Sequence, residues 1–92
     1  MIVYAEVECI MYEGSSLKQK RSIIKRVMAK LKNDFNIAIT ELDHHDVWQR
    51  TKFGIATVST SYSHAEQVMQ EVLRVIDTFP ELERTITEVE RR

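Results

Sequence analysis

From residue 2 to residue 12 the chain alternates. Val3, Ala5, Val7, Cys9 and Met11 fall on one side, and Tyr4, Glu6 and Glu8 on the other. That period of two predicts a strand with one buried face. Gly14-Ser15-Ser16 breaks the pattern, and Ser16 with Gln19 three positions on reads as a capping box. Across 17–34, Leu17, Ile24, Val27, Met28 and Leu31 recur at helical spacing, which predicts an amphipathic helix closed by Asn33 to Asn36. Ile37 and Ile39 alternate with Ala38 and Thr40 as a second strand. Residues 43–50 are polar and irregular, with Trp48 their one large apolar group. The β-branched stretch Phe53 to Ser59 reads as a third strand. Ser63 with Glu66 suggests a second capping box. Ala65, Val68, Met69, Val72, Val75, Ile76 and Phe79 then share one helical face, and Pro80 stops the helix. Arg84 to Val89 is a weaker, polar strand.

The order β-α-β-β-α-β predicts an α+β ferredoxin-like sandwich over 1–92, a four-stranded antiparallel sheet with both helices on one face. Length agrees: 92 residues leave room for one core and no second domain. A chain this short buries only about 60% of its unfolded surface, so pairing with a second copy would add stability. The topology alone decides little about function, because it serves enzymes, sensors, RNA binders and dimerisation modules alike.

Composition narrows the classes. At 43% apolar and 29% charged the chain is globular, and two glycines and one proline exclude fibrous or disordered types. No apolar stretch approaches the roughly 20 residues of a membrane span. Met1-Ile2-Val3-Tyr4 shows no basic n-region, and a single cysteine builds no disulfide framework, so a cytoplasmic location is expected.

The net charge of −1 hides an asymmetry. Residues 18–32 hold Lys18, Lys20, Arg21, Lys25, Arg26, Lys30 and Lys32 with no acid among them, whereas residues 66–90 are strongly acidic. On a helical projection Lys18, Arg21, Lys25 and Lys32 lie within about 60° of one another. Such a stripe can follow a phosphate backbone. It can also be a solvated face built from good helix formers, although a merely solvated face usually carries i,i+4 ion pairs. Lys20 is different, since it falls inside the apolar arc. It either snorkels to water or pairs, partly buried, with Glu41 or Asp43, which share the parity of Ile37 and Ile39.

Asp43-His44-His45-Asp46 most resembles a reactive site. With Glu41 and His64 it offers metal-ligand types, but adjacent histidines seldom hold one ion and no H-E-x-x-H or Cys-His spacing is present. No metal and no cofactor are expected. Cys9 on a core face is inert, and no glycine-rich phosphate cradle appears. The acylphosphatases share this topology but use an arginine in the first strand-to-helix loop, where this chain has Glu13-Gly14-Ser15-Ser16. Lys52-Phe53-Gly54-Ile55-Ala56-Thr57-Val58 partly echoes the third strand of RNA-recognition motifs, without its second aromatic. Glu6 and Glu8 on the open sheet face would repel phosphate, so Tyr4, Phe53 and Ile55 there suggest a protein contact, a homodimer interface, instead.

Taken together, Ser16-Leu17-Lys18-x-Lys20-Arg21, Phe35-Asn36, Glu41-x-Asp43-His44-x-Asp46-x-Trp48-Gln49-Arg50 and Phe79-Pro80-Glu81-x-Glu83-Arg84-Thr85-Ile86-Thr87 resemble the YlxP-like bacterial proteins over essentially the whole chain. The resemblance implies a small, cytoplasmic, ferredoxin-like protein of unknown function. It also implies genes placed near those of translation initiation and ribosome maturation, and it supplies no catalytic residues. The expectation is a non-enzymatic factor that associates with RNA or the ribosome through Lys18, Arg21, Lys25 and Lys32, with no DNA or membrane partner. The alternative is a homodimeric interaction or ligand-sensing module built on the open face and on Asp43, His44, Asp46, Trp48, Gln49 and Arg50.

Overall fold

The structure, a computed structural model, describes residues 1–12 and 16–92. Of the first strand-to-helix loop only Tyr12 and Ser16 are therefore described, and the expectation of no acylphosphatase-type arginine at 13–16 lies mostly outside those residues. The elements run β1 (Ile2–Met11), α1 (Leu17–Asp34), β2 (Ala38–Asp43), β3 (Arg50–Val58), α2 (Tyr62–Ile76) and β4 (Leu82–Arg91). The strands form one antiparallel sheet in the order β2-β3-β1-β4, which is the ferredoxin-like arrangement. No described helix is long and apolar enough to cross a membrane.

Alternation decides which face meets the helices. In β1 the odd positions Val3, Ala5, Val7, Cys9 and Met11 are buried, as their period requires. β3 is a central strand paired directly to β1, with Val7 opposite Phe53 and Ala5 opposite Ile55. Opposite residues share a face, so Phe53 and Ile55 lie in the core at 0% exposure. Their expected place on the open face is thus corrected, and only Tyr4 of that trio is on it. The reason lies in the other parity. Lys52, Gly54 and Ala56 offer too little apolar volume to build a core, so the odd side of β3 turns inward.

The edge strand β2 carries an irregularity. Its register with β3 shifts between Glu41 and Asp43, so Leu42 is an extra residue. Glu41 stays opposite Phe53 on the covered side, but Asp43 comes opposite Lys52 on the open side. The expected common facing of Glu41 and Asp43 fails at this bulge. Leu42 folds down over Gly54, where a Cβ would meet its Cδ1 at 2.8 Å. A side chain at 54 would displace it.

α1 begins as the sequence predicts, with Ser16 Oγ accepting from the Gln19 N–H at 3.2 Å. α2 does not start at Ser63. Its cap is Ser61, which is extended at φ −141° and accepts from the His64 N–H at 3.2 Å. The earlier start brings Tyr62 against the core and lets its hydroxyl donate to the Arg92 carbonyl at 3.0 Å. β3 and β4 both run longer than their β-branched centres suggest, because ladder pairing with β1 carries polar residues such as Arg50, Lys52 and Glu90.

Candidate functional site

Two constellations carry the charge and the exposed polar chemistry. The first is α1. Its buried stripe is Lys20, Ile24, Val27 and Leu31, and Lys18, Arg21, Lys25 and Lys32 are all exposed along one edge. From Lys18 to Lys32, at about 1.5 Å of rise per residue, the stripe spans about 21 Å. The other exposed cations of α1 are neutralised: Arg26 pairs with Glu81, and Lys30 with Asp34 at 2.9 Å. None of the four stripe residues has an ion-pair partner among the described residues. Beside the stripe, between α1 and β2, lies a groove of ≈ 510 Å³ lined by Arg21, Ser22, Ile24, Lys25, Met28 and Glu41.

Lys20 enters the core from the first turns of α1 and is 1% exposed. It does not snorkel. Its Nζ lies 3.0 Å from Glu41 Oε2 and donates to the His44 carbonyl. Thr51 Oγ1 donates to the same Glu41 oxygen at 2.5 Å. Of the two acids expected as partners, Glu41 is the one, because the bulge sends Asp43 to the other face.

The second constellation is the end of the open face. His44 stands at φ +66°, an uncommon conformation for a residue with a Cβ. Four contacts hold it there. Asp43 Oδ1 accepts its backbone N–H at 2.7 Å, and its carbonyl accepts from Lys20 and from the Val47 N–H at 3.0 Å. Its ring Nε2 lies 2.8 Å from Glu8 Oε1, the oxygen that also accepts from Arg50 at 2.5 Å. The ring N–H donates in this contact, since a carboxylate can only accept. Lys52 meets Glu6 at 3.2 Å. Arg50 and Lys52 therefore pair diagonally across β1 and β3, and Glu8 and Glu6 are compensated. The Glu8–His44–Arg50 grouping joins residues 36 and 42 positions apart. The strict alternation that puts Glu8 on the open face was its one signal in the sequence. Asp46, Trp48 and Gln49 are exposed in the connection to β3 and do not join the cluster. A cavity of ≈ 630 Å³ opens alongside, against Glu8, Tyr12, Gln49, Arg50, Thr85 and Ile86.

Hydrogen bonds from His44 and then Arg50 hold the Glu8 carboxyl below the usual carboxylate range. Those from Tyr4 and then Lys52 do the same for Glu6, and that from the His44 backbone does so for Asp43. Lowered folded values stabilise above the unfolded value near 4.3, and that contribution is lost as pH falls through the folded ones. Thermal melts should therefore drop as pH is taken from 5 to 3, and Glu8→Gln should flatten the drop. An identical acid limb in the variant would mean that Glu8 contributes nothing.

Groups for chemistry are sparse. Burial pushes the Cys9 thiol up to about 12 at 0% exposure, so no thiolate is available. His45 donates to the Glu41 carbonyl at 2.8 Å, and His64 is exposed in the first turn of α2. Among the described residues no three His, Cys, Asp or Glu side chains converge as a metal set.

The profile of a family described as "Protein of unknown function (DUF503)" matches residues 2–89. "Uncharacterized protein YlxP" of Bacillus subtilis (strain 168) is 52% identical over 90 residues, 98% of each chain. Among solved structures, the designed ferredoxin-fold protein LFR1 1 aligns at TM-score 0.65 and 16% identity, covering 100% of this chain and 87% of that one. SnoaB, a cofactor-independent oxygenase from Streptomyces nogalater, aligns at 0.61 and 12%, covering 99% and 92%. Likeness at this identity concerns the fold alone.

Proposed function

The chain belongs to the DUF503 family of proteins of unknown function, and from that premise we propose a non-enzymatic, cytoplasmic factor that binds RNA, free or within the ribosome, through α1. One observation carries the reading. Lys18, Arg21, Lys25 and Lys32 are exposed without carboxylate partners among the described residues, while Arg26 and Lys30 on the same helix are paired. Unpaired cations at spacings of about 5 to 10 Å along 21 Å suit three or four phosphates of one strand. Cations already neutralised by the protein would release no counterions on binding.

Four phosphate contacts should make log affinity for single-stranded RNA fall with log salt at a slope near −3, about −0.7 per contact. Reversing Arg21 and Lys25 to Glu should remove at least half of that slope. Tyr4→Ala, on the open face, should leave affinity unchanged, unlike an RNA-recognition motif that loses a stacked aromatic. Should the double reversal bind RNA and ribosomal subunits as the parent does, α1 is only a solvated helix. A homodimer through the open face keeps one of its three residues, since Phe53 and Ile55 are core.

A further inference from the structure

The groove between α1 and β2 has a composition that the cationic stripe alone does not explain. Arg21 and Lys25 stand on its helix side with no ion-pair partner among the described residues. Ile24 and the half-buried Met28 give it an apolar floor. At its strand side is Glu41, whose two oxygens are not equivalent. Oε2 is taken by Lys20 and Thr51. Among the described residues Oε1 has only His45 Nε2 at 4.0 Å, too far for a hydrogen bond, and so keeps its lone pairs for a donor in the groove. With Lys20 against its other oxygen, the carboxylate is compensated and does not by itself repel an anion.

Cations, a polarisable apolar floor and a buried-side acceptor make a set with few matches. The occupant must be anionic at one end, flat and apolar in the middle, and must carry an N–H at the other. Resting on the RNA reading above, we propose that this groove takes one nucleotide of a single strand. Its phosphate lies on Arg21 and Lys25, its base lies against Met28 and Ile24, and an exocyclic amino group of the base donates to Glu41 Oε1. Cytosine and adenine present such an amine on the edge where uracil presents a carbonyl. A carbonyl facing Glu41 would set acceptor against acceptor. The groove therefore discriminates cytosine or adenine from uracil, and it needs an unpaired base, because in a duplex one N–H of the amine is spent on pairing and the other lies in the deep, narrow A-form major groove.

A peptide adding a strand to β2 is the competing occupant, and the edge suits it poorly. The Glu41 carbonyl is already occupied by the His45 ring at 2.8 Å, and the bulge at Leu42 interrupts the ladder one residue from the strand's end. An incoming strand would find little more than Ala38–Thr40 regular.

The test uses the unaltered protein, labelled for NMR at backbone amides and methionine methyls, with oligocytidine, oligouridine and a blunt RNA duplex. Oligocytidine should bind about tenfold more tightly than oligouridine, the scale of one hydrogen bond to a charged acceptor. It should also shift the Met28 methyl by ring current and move the amides of 21–28 and 39–41. Equal affinities with an unmoved Met28 methyl, at an intact salt slope, would overturn the groove while leaving phosphate binding by α1 standing. Loss of the salt slope itself would instead sink the RNA reading. An acidic peptide that moves the groove signals where no oligonucleotide does would also overturn the proposal, in favour of a protein partner.

Discussion

Lys20→Ala is expected to cost about 3 kcal/mol of unfolding free energy, several times the cost of Lys18→Ala one turn-edge away. The difference follows from what each ammonium touches. Lys18 is exposed with no ion-pair partner among the described residues, and alanine is the better helix former, so its removal forfeits little. Lys20 is 1% exposed and serves two acceptors, Glu41 Oε2 and the His44 carbonyl. Its loss leaves a carboxylate that is only 14% exposed without its counter-charge. The carbonyl of a residue held at φ +66° loses a donor as well. Lys20→Met paired with Glu41→Leu isolates the charge effect. The double change should recover much of what Lys20→Met alone loses, because two well-packed apolar groups can match a buried pair while a lone buried charge cannot. Urea melts that give Lys18→Ala and Lys20→Ala the same small cost would show that the pair holds nothing.

What could be read in advance depended on whether a local rule or a tertiary contact decided each point. The strand at 2–12 and the helix at 17–34 obey their periods, and the structure keeps both almost residue for residue. Lys20 was visible as a charge inside an apolar arc, and an acid on the covered side of the next strand was the natural partner. Choosing Glu41 over Asp43 required the bulge at Leu42, and one extra residue in an edge strand leaves no mark on composition or period. The serine that caps α2 was ambiguous for a similar reason. Ser63, with Glu66 three positions on, is the better cap by local rules, and the packing of Tyr62 against the core moves the start to Ser61. The Glu8–His44–Arg50 contacts depend on the β1–β3 register and on a left-handed residue in the connection, neither of which is a motif. The cations of α1 were legible as a stripe. Their lack of partners was not, since Arg26 finds Glu81 only 55 residues away.

Phe53→Ala should be among the most damaging single changes in the chain, at about 3 to 5 kcal/mol. The phenyl ring is fully buried in a central strand, opposite Val7 and beside Glu41 across β2, and it packs into the same cluster as Ile24, Val27 and Met69. A domain of this size commands only about 5 to 14 kcal/mol in total, so the variant should lose well over 10 °C of melting temperature. Tyr4→Ala is the matched control. Its ring lies on the other face, where the hydroxyl donates to Glu6 at 2.9 Å and the Arg92 guanidinium stacks 4.4 Å from its centroid, and about 1 kcal/mol is expected. The contrast reads directly which face of β3 meets the helices. If Phe53→Ala melted within 1 kcal/mol of the parent, the odd side of β3 would have to face solvent. Phe53 and Ile55 would then rejoin Tyr4 as an aromatic and aliphatic patch, and self-association through the open face would regain the residues that motivated it.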